Sequence, residues 1–224
     1  MARFTVNSTI FKKTAEKVLS VINRKSLIPI VIEVKNEIIK MYGTNGTHWL
    51  EVINDKVRNT EDGKIGIFCD DLEKITKLSG EITISAKKRI RVKVGRKNIF
   101  LPIGDADLLS VPELEEENEV LRFTESWLYE TLSEMSGFAS KDKSREIFNS
   151  VNLSIAYSQA EAADIARICI RKFPQHSVIG NGKDCTLSVM CVPVLKKVLD
   201  KKSDSNVTIS MNEKYIKVKC ENAT

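Results

Sequence analysis

The stretch Asp70-Asp71-Leu72-Glu73-Lys74-Ile75-Thr76-Lys77-Leu78, with Glu81-Ile82-Thr83-Ile84-Ser85 and Ile90-Arg91-Val92-Lys93-Val94 behind it, occurs in this chain a second time in altered form. An apolar strand with Cys69 precedes the first form. The second opens on Leu187-Ser188-Val189-Met190-Cys191 and continues through Val194-Leu195-Lys196-Lys197-Val198-Leu199, Val207-Thr208-Ile209-Ser210 and Ile216-Lys217-Val218-Lys219-Cys220. The paired Ile-Thr-Ile-Ser and Val-Thr-Ile-Ser strands lie 125 residues apart (207 against 82) and the strands after them 126 (216 against 90). Phe4-Thr5 and Phe123-Thr124 are aligned at 119. Elements recurring in one order at a nearly fixed spacing identify two copies of one domain. Between the copies runs Pro112-Glu113-Leu114-Glu115-Glu116-Glu117-Asn118-Glu119, too acidic to pack into a core, which reads as a linker. The expected domains are therefore 1–118 and 119–224, the second without a counterpart of the strand at 99–103.

Within copy one, Asn7 or Ser8 is placed to cap a helix whose apolar face is Ile10, Phe11, Ala15, Val18, Leu19 and Ile22. Apolar or alternating runs at 29–34, 37–42, 49–53 and 65–68 predict strands, a short helix starts at Asp70, and three more strands end at 99–103. Copy two repeats this from Leu121. Its helix starts at Ser126 with Leu128, Leu132 and Met135 inward and Gly137 as terminator, and strands are expected at 148–155 and 164–172. The order β-α-βββ twice per domain, hairpin-linked and poor in helix, predicts an α+β fold with helices on one face of antiparallel sheets.

The chain has 224 residues, 35 Lys+Arg against 30 Asp+Glu for a formal charge of +5, with 42% hydrophobic residues, enough to bury a core. No run approaches the ~20 apolar residues of a membrane span and the start has no apolar signal region, so no membrane is expected and the compartment read is the cytosol. Five cysteines, Cys69, Cys169, Cys185, Cys191 and Cys220, show no CxxC spacing and are read as buried thiols rather than zinc ligands or a disulfide framework. No phosphate-binding, dinucleotide or hydrolase motif is present, and no cofactor or metal is expected. His48 and His176 read as structural or surface residues. A thiol enzyme using His176 with Cys185 or Cys191 is the third-ranked reading, because both thiols sit on apolar patterns where a thiolate is destabilised. Asp70-Asp71 opens a helix, where the macrodipole accounts for it.

Positive charge is more telling. Lys12, Lys13 and Lys17 share the polar face of the first helix, Lys74 and Lys77 that of the second, and Lys196, Lys197, Lys201 and Lys202 lie on or after the fourth. The third helix breaks the pattern with Glu130 and Glu134. The run from Lys87 to Lys97 alternates charge and aliphatic, as either a phosphate-binding strand or a sheet with one wet face would. Aromatics that could stack bases do not flank these sets, and nothing points to base-specific reading.

Several segments resemble a known family, the bacterial sliding clamp or beta subunit of DNA polymerase III. They are Phe4-Thr5-Val6 with the helix after it, Arg24-Lys25-Ser26-Leu27-Ile28-Pro29-Ile30, Gly43-Thr44-Asn45, the segment from Phe138 through Arg145 to Asn149, and Ala163-Asp164-Ile165-Ala166-Arg167-Ile168. The resemblance implies a DNA-clamp fold: a ring of six similar domains, helices lining the hole and sheets outside. It implies a non-enzymatic DNA replication processivity factor that encircles double-stranded DNA and works with a DNA polymerase and a clamp loader. DNA contacts would fall to Lys12, Lys13, Lys17, Arg24, Lys25, Lys74, Lys77, Arg145, Lys196 and Lys197, and partner-peptide contacts to Ile165, Ala166, Arg167 and Ile168. Family members have three domains per chain and close as dimers, whereas two domains require three chains for six, a trimeric ring. The alternative is a diverged interaction module that binds or competes with a full-length clamp.

Overall fold

The computed structural model describes residues 2–22, 27–109, 118–140, 142, 144, 145, 147–212 and 215–220. Arg24, Lys25 and most of the acidic stretch after Pro112 lie outside them. The chain forms two compact units, Met1–Pro112 and Glu113–Asn222.

In the first unit the order is β1 (Ala2–Asn7), α1 (Ser8–Leu19), β2 (Ile30–Lys35), β3 (Ile38–Thr44), β4 (Trp49–Asn54), β5 (Val57–Glu61), β6 (Gly63–Ile67), α2 (Cys69–Thr76), β7 (Glu81–Ala86), β8 (Ile90–Val94) and β9 (Lys97–Leu101). Two antiparallel sheets result, ordered β5-β1-β7-β8-β9 and β4-β3-β2-β6. The strand ahead of each helix crosses to the other half's sheet, β1 beside β7 and β6 beside β2, which locks the two β-α-βββ halves into one core. Alternation explains the strands: Ile82, Ile84, Ile90 and Val92 are buried while Arg91 and Lys93 on the same ladder are exposed. The run from Lys87 to Lys97 is thus the wet side of a sheet. β5 escaped the sequence reading because Val57-Arg58-Asn59-Thr60-Glu61 has no apolar alternation. It pairs with β1 at the sheet's edge.

The second unit runs β10 (Asn118–Thr124), α3 (Glu125–Met135), β11 (Ser150–Ser154), β12 (Gln159–Ala163), β13 (Ile168–Lys172), β14 (Cys185–Ser188), α4 (Val192–Val198), β15 (Asn206–Met211) and β16 (Ile216–Lys219). Its sheets are β13-β12-β11-β14, matching β4-β3-β2-β6, and β10-β15-β16, which among the described residues has no strand equivalent to β9. Residues 164–172 are not one strand. Asp164–Arg167 makes a turn and pairs β13 with β12, a strand hidden in the sequence because Gln159-Ala160-Glu161-Ala162-Ala163 is alanine-rich. Likewise Val189–Cys191 is a 3₁₀ turn leading into α4.

The sheet register also corrects the offset of the first strand and helix. Val6 faces Ile82 and Phe123 faces Val207, while the side chains of Asn7 and Thr124 cap α1 and α3 by accepting from Thr9 N and Trp127 N. The true offset is 117 (124 against 7), and Leu121, not Phe123, stands where Phe4 does. At that offset the buried helix faces coincide position for position, Ser8, Phe11, Thr14, Ala15 and Val18 against Glu125, Leu128, Thr131, Leu132 and Met135. Gly43 of β3 lies so close under α1 that a Cβ there would stand 2.6 Å from Val18 Cγ1.

Candidate nucleic-acid interface

α1 and α2 lie side by side and turn their polar faces outward. Lys12 and Lys13 are exposed and Lys17 is partly so. Lys12 Nζ is 3.9 Å from Glu16 Oε1, a loose pairing. On α2 the buried Asp71 accepts from Lys74 Nζ at 2.7 Å, which holds the ammonium's pKa above its ordinary value. Lys77 follows the helix as its C-cap and is exposed. Among the described residues Lys13, Lys17 and Lys77 make no ion pair, so their charge is available to an outside anion. Asp70 and Asp71 occupy the first turn of α2, where aligned peptide dipoles favour them.

In the second unit α3 and α4 also adjoin. Lys196 Nζ lies 5.4 Å from the centre of the Tyr129 ring, and Lys197 is exposed. At the helix offset of 117, Glu130 and Glu134 occupy the places of Lys13 and Lys17. They are not left as bare carboxylates. Arg171 of β13 donates from Nη2 to Glu130 Oε2 at 3.1 Å and from Nη1 to Glu134 Oε2 at 3.4 Å, with its guanidinium 5.5 Å from the Trp127 ring centre. Trp127 is itself stacked on Phe123 and edge-on to Phe173. Reading the sequence missed Arg171, whose partners are 37 and 41 residues away. The available signal was an unexplained Glu pair at i,i+4 and an Arg at an inward position of an alternating strand.

The segment matched to partner binding is the β12–β13 turn. Asp164 Oδ1 accepts from the backbone N–H groups of Ala166 (2.9 Å) and Arg167 (2.8 Å), and its Oδ2 accepts from Arg167 Nε (3.0 Å) and Nη2 (2.6 Å). The Arg167 side chain holds the carboxyl below the usual aspartate range. Arg167 also lies over the Phe138 ring, 5.5 Å to its centre. Its guanidinium is thus engaged locally, while Ile165 (79% exposed), Ala166 and Ile168 (65%) face outward. Arg145 is exposed, 3.7 Å from Asp142.

Cys69, Cys185 and Cys220 are buried, but Cys169 and Cys191 are only partly so, against the expectation that all five are buried. Burial pushes the Cys185 thiol up to about 12 and raises Cys191 too, so neither is disposed to form a nucleophilic thiolate. His48 closes the β3–β4 turn beside Asn45, and His176 is exposed with φ +62°. A hollow of about 300 Å³ between β1, β5 and β7 is lined by Thr5, Asn7, Lys56, Arg58 and Glu81 among others and holds no nucleophile–base pair. No three His, Cys, Asp or Glu side chains gather as metal ligands among the described residues, and none of their helices is long and apolar enough to cross a membrane.

No family model and no curated protein matches the sequence. Solved structures do match. The sliding clamp (DNA polymerase III subunit beta) of Pseudomonas aeruginosa superimposes over 99% of this chain with a TM-score of 0.89 at 17% identity. The fold is that of the sliding clamp. The Bacillus subtilis DNA polymerase sliding clamp (TM-score 0.85, 19% identity, 99% of this chain) and the Streptococcus pyogenes DNA polymerase beta subunit (0.84, 21%, 99%) agree. This chain spans 63% of the length of the first two and 62% of the third. The α+β class and the doubled β-α-βββ plan are those of the clamp fold.

Proposed function

We propose that this chain is a clamp-like, non-enzymatic processivity factor that surrounds duplex DNA without reading its sequence. The observation that carries this is the set of cations on the helix pair of the first unit, Lys13, Lys17 and Lys77, which make no ion pair among the described residues, joined by Lys12 and Lys74. Such side chains contact phosphates and release counterions, which gives affinity without base specificity and leaves the protein free to slide. Arg24 and Lys25, outside the described residues, Arg145, and Lys196 and Lys197 on α4 complete the proposed DNA face. Its clamp-like domains, 1–118 and 119–224, would take part in a ring of such domains closed by self-association. Ile165, Ala166 and Ile168 would offer an apolar contact to a polymerase or clamp-loader peptide, with Arg167 shaping the turn that presents them. Soluble, cytoplasmic replication work fits this reading.

The test is the salt dependence of binding to a short duplex. With Lys12, Lys13 and Lys17 changed to Glu, affinity should fall at least ~10-fold at low salt, and the slope of log K against log salt should flatten by about 0.9 for each phosphate that is no longer neutralised. An unchanged slope would remove these lysines from the DNA face. The second reading, a module that binds a full-length clamp, draws on the three-stranded sheet, whose outer strand β16 has no further neighbour among the described residues. Co-elution with a full-length clamp would favour it.

A further inference from the structure

The two helix pairs would present opposite charges to a nucleic acid if only their own residues counted. Lys13 and Lys17 of α1 become Glu130 and Glu134 on α3, exposed at 62% and 53% of their side chains. Like charges one helical turn apart would repel phosphates and offset Lys196 and Lys197 of the adjoining α4. The strand beneath changes in the compensating sense. β4 and β13 follow equivalent four-residue turns, closed by the pairs Thr44↔Trp49 and Ala163↔Ile168, and Val52 and Arg171 stand three residues beyond Trp49 and Ile168. Val52 is buried, and Arg171 reaches up between the two glutamates.

We infer that Arg171 is a positioning residue for charge: it ties down Glu130 and Glu134 and halves their combined charge, so that the α3/α4 face, with Lys196 and Lys197, can lie against a phosphate backbone. This rests on the DNA reading proposed above. The geometry suits arginine. Its planar fork spans two carboxylates while its face stacks on Trp127, and its 29% exposure shows that it works from beneath rather than projecting to the surface. The exposed Lys172 next to it points the other way, to Gln159 Oε1 at 2.5 Å and Tyr157 O at 3.3 Å.

The test is anisotropy of a fluorescent 20-base-pair duplex at low salt, with thermal melts to verify folding. Arg171→Gln should weaken binding ~3- to 10-fold, with the loss fading as salt rises, whereas Lys172→Gln should change it less than 2-fold. Arg171→Lys should keep most of the affinity. The decisive variant is the triple Arg171→Gln, Glu130→Gln, Glu134→Gln, which removes one positive and two negative charges and should bind at least as tightly as the unaltered chain. A triple as weak as the single, in a protein that melts normally, overturns the inference, because Arg171 would then contact phosphate itself or act only on the strand. Equal binding by the single variant and the unaltered chain overturns it too. Absence of duplex binding by the unaltered chain defeats the DNA reading first and this inference with it.

Discussion

Thr14 of α1 and Thr131 of α3 occupy the same place in their two units, both buried, and meet different partners. Thr14 Oγ1 donates to Ile10 O at 3.1 Å and accepts from Asn54 Nδ2 at 3.1 Å. Thr131 Oγ1 has no hydrogen-bond partner among the described residues. The cause lies in the strand below. Asn54 stands five residues beyond Trp49, the first residue of β4, and five beyond Ile168, the first of β13, stands Phe173, which packs edge-on to Phe123 and Trp127 instead. Other positions of the layer differ too. On the helix Leu132 and Met135 stand for Ala15 and Val18, though Leu128 stands for Phe11, and on the strands Ala160 stands for Met41, Cys169 for Leu50 and Arg171 for Val52. One fold thus accommodates two ways of filling the helix–sheet layer, and it is the second, with an arginine in the layer, that lets the outer helix face carry glutamates.

Exchanging core residues between the two layers should have the severest consequences. Leu132→Ala installs the residue native at Ala15 and should still cost about 2–5 kcal/mol, because Ala160 and Cys169 cannot fill the space left behind. Ala15→Leu should cost about 1–3 kcal/mol by overpacking against the larger strand residues. Urea unfolding measures both, and a near-neutral Leu132→Ala would mean that the two layers are not complementary in this way.

The threonine pair gives the next effect. Thr14→Val strands the Asn54 amide and should destabilise by about 1–3 kcal/mol, whereas Thr131→Val removes an unsatisfied hydroxyl and should be neutral or stabilising by about 1 kcal/mol. Equal losses at both sites would show that Thr131 has a partner after all.

The mildest difference concerns the hairpin turns. Asn45 Oδ1 accepts from Thr47 N and His48 N at 3.0 and 2.8 Å, as Asp164 Oδ1 does from Ala166 N and Arg167 N, so one turn is held by an amide and the other by a carboxylate. Asp164 has its pKa lowered by Arg167, so whatever stability the ionised carboxyl contributes is complete above the ordinary aspartate pKa and is lost as pH falls through the lowered one. Carboxyl NMR titration should place Asp164 below ordinary aspartates, and Arg167→Gln should move it up. Asn45, an amide, has no carboxyl to titrate in its place.

Much of this was legible in the sequence, for reasons particular residues make plain. Ile82-Thr83-Ile84 and Val207-Thr208-Ile209 alternate because one sheet face is buried, and the lysines of α1 fall at helical spacing, so the doubled domain and a basic helix face could be read directly. β12 could not, since alanines carry little periodic contrast, nor β5, whose edge position demands no buried face. The helix offset of 117 was hidden because a Phe-Thr match outweighed cap positions that only the register reveals. Arg171 was out of reach for a stronger reason: its role exists only once β13 has been brought under α3.

Encirclement is a topological property, and retention on circular DNA reports it without reference to any single side chain. The protein would be incubated with nicked circular duplex and passed through a sizing column before and after a single restriction cut. Encirclement predicts that protein co-migrates with the circle at moderate salt and is released when the same circle is linearised. Equal retention on both forms, or none on either, would contradict it.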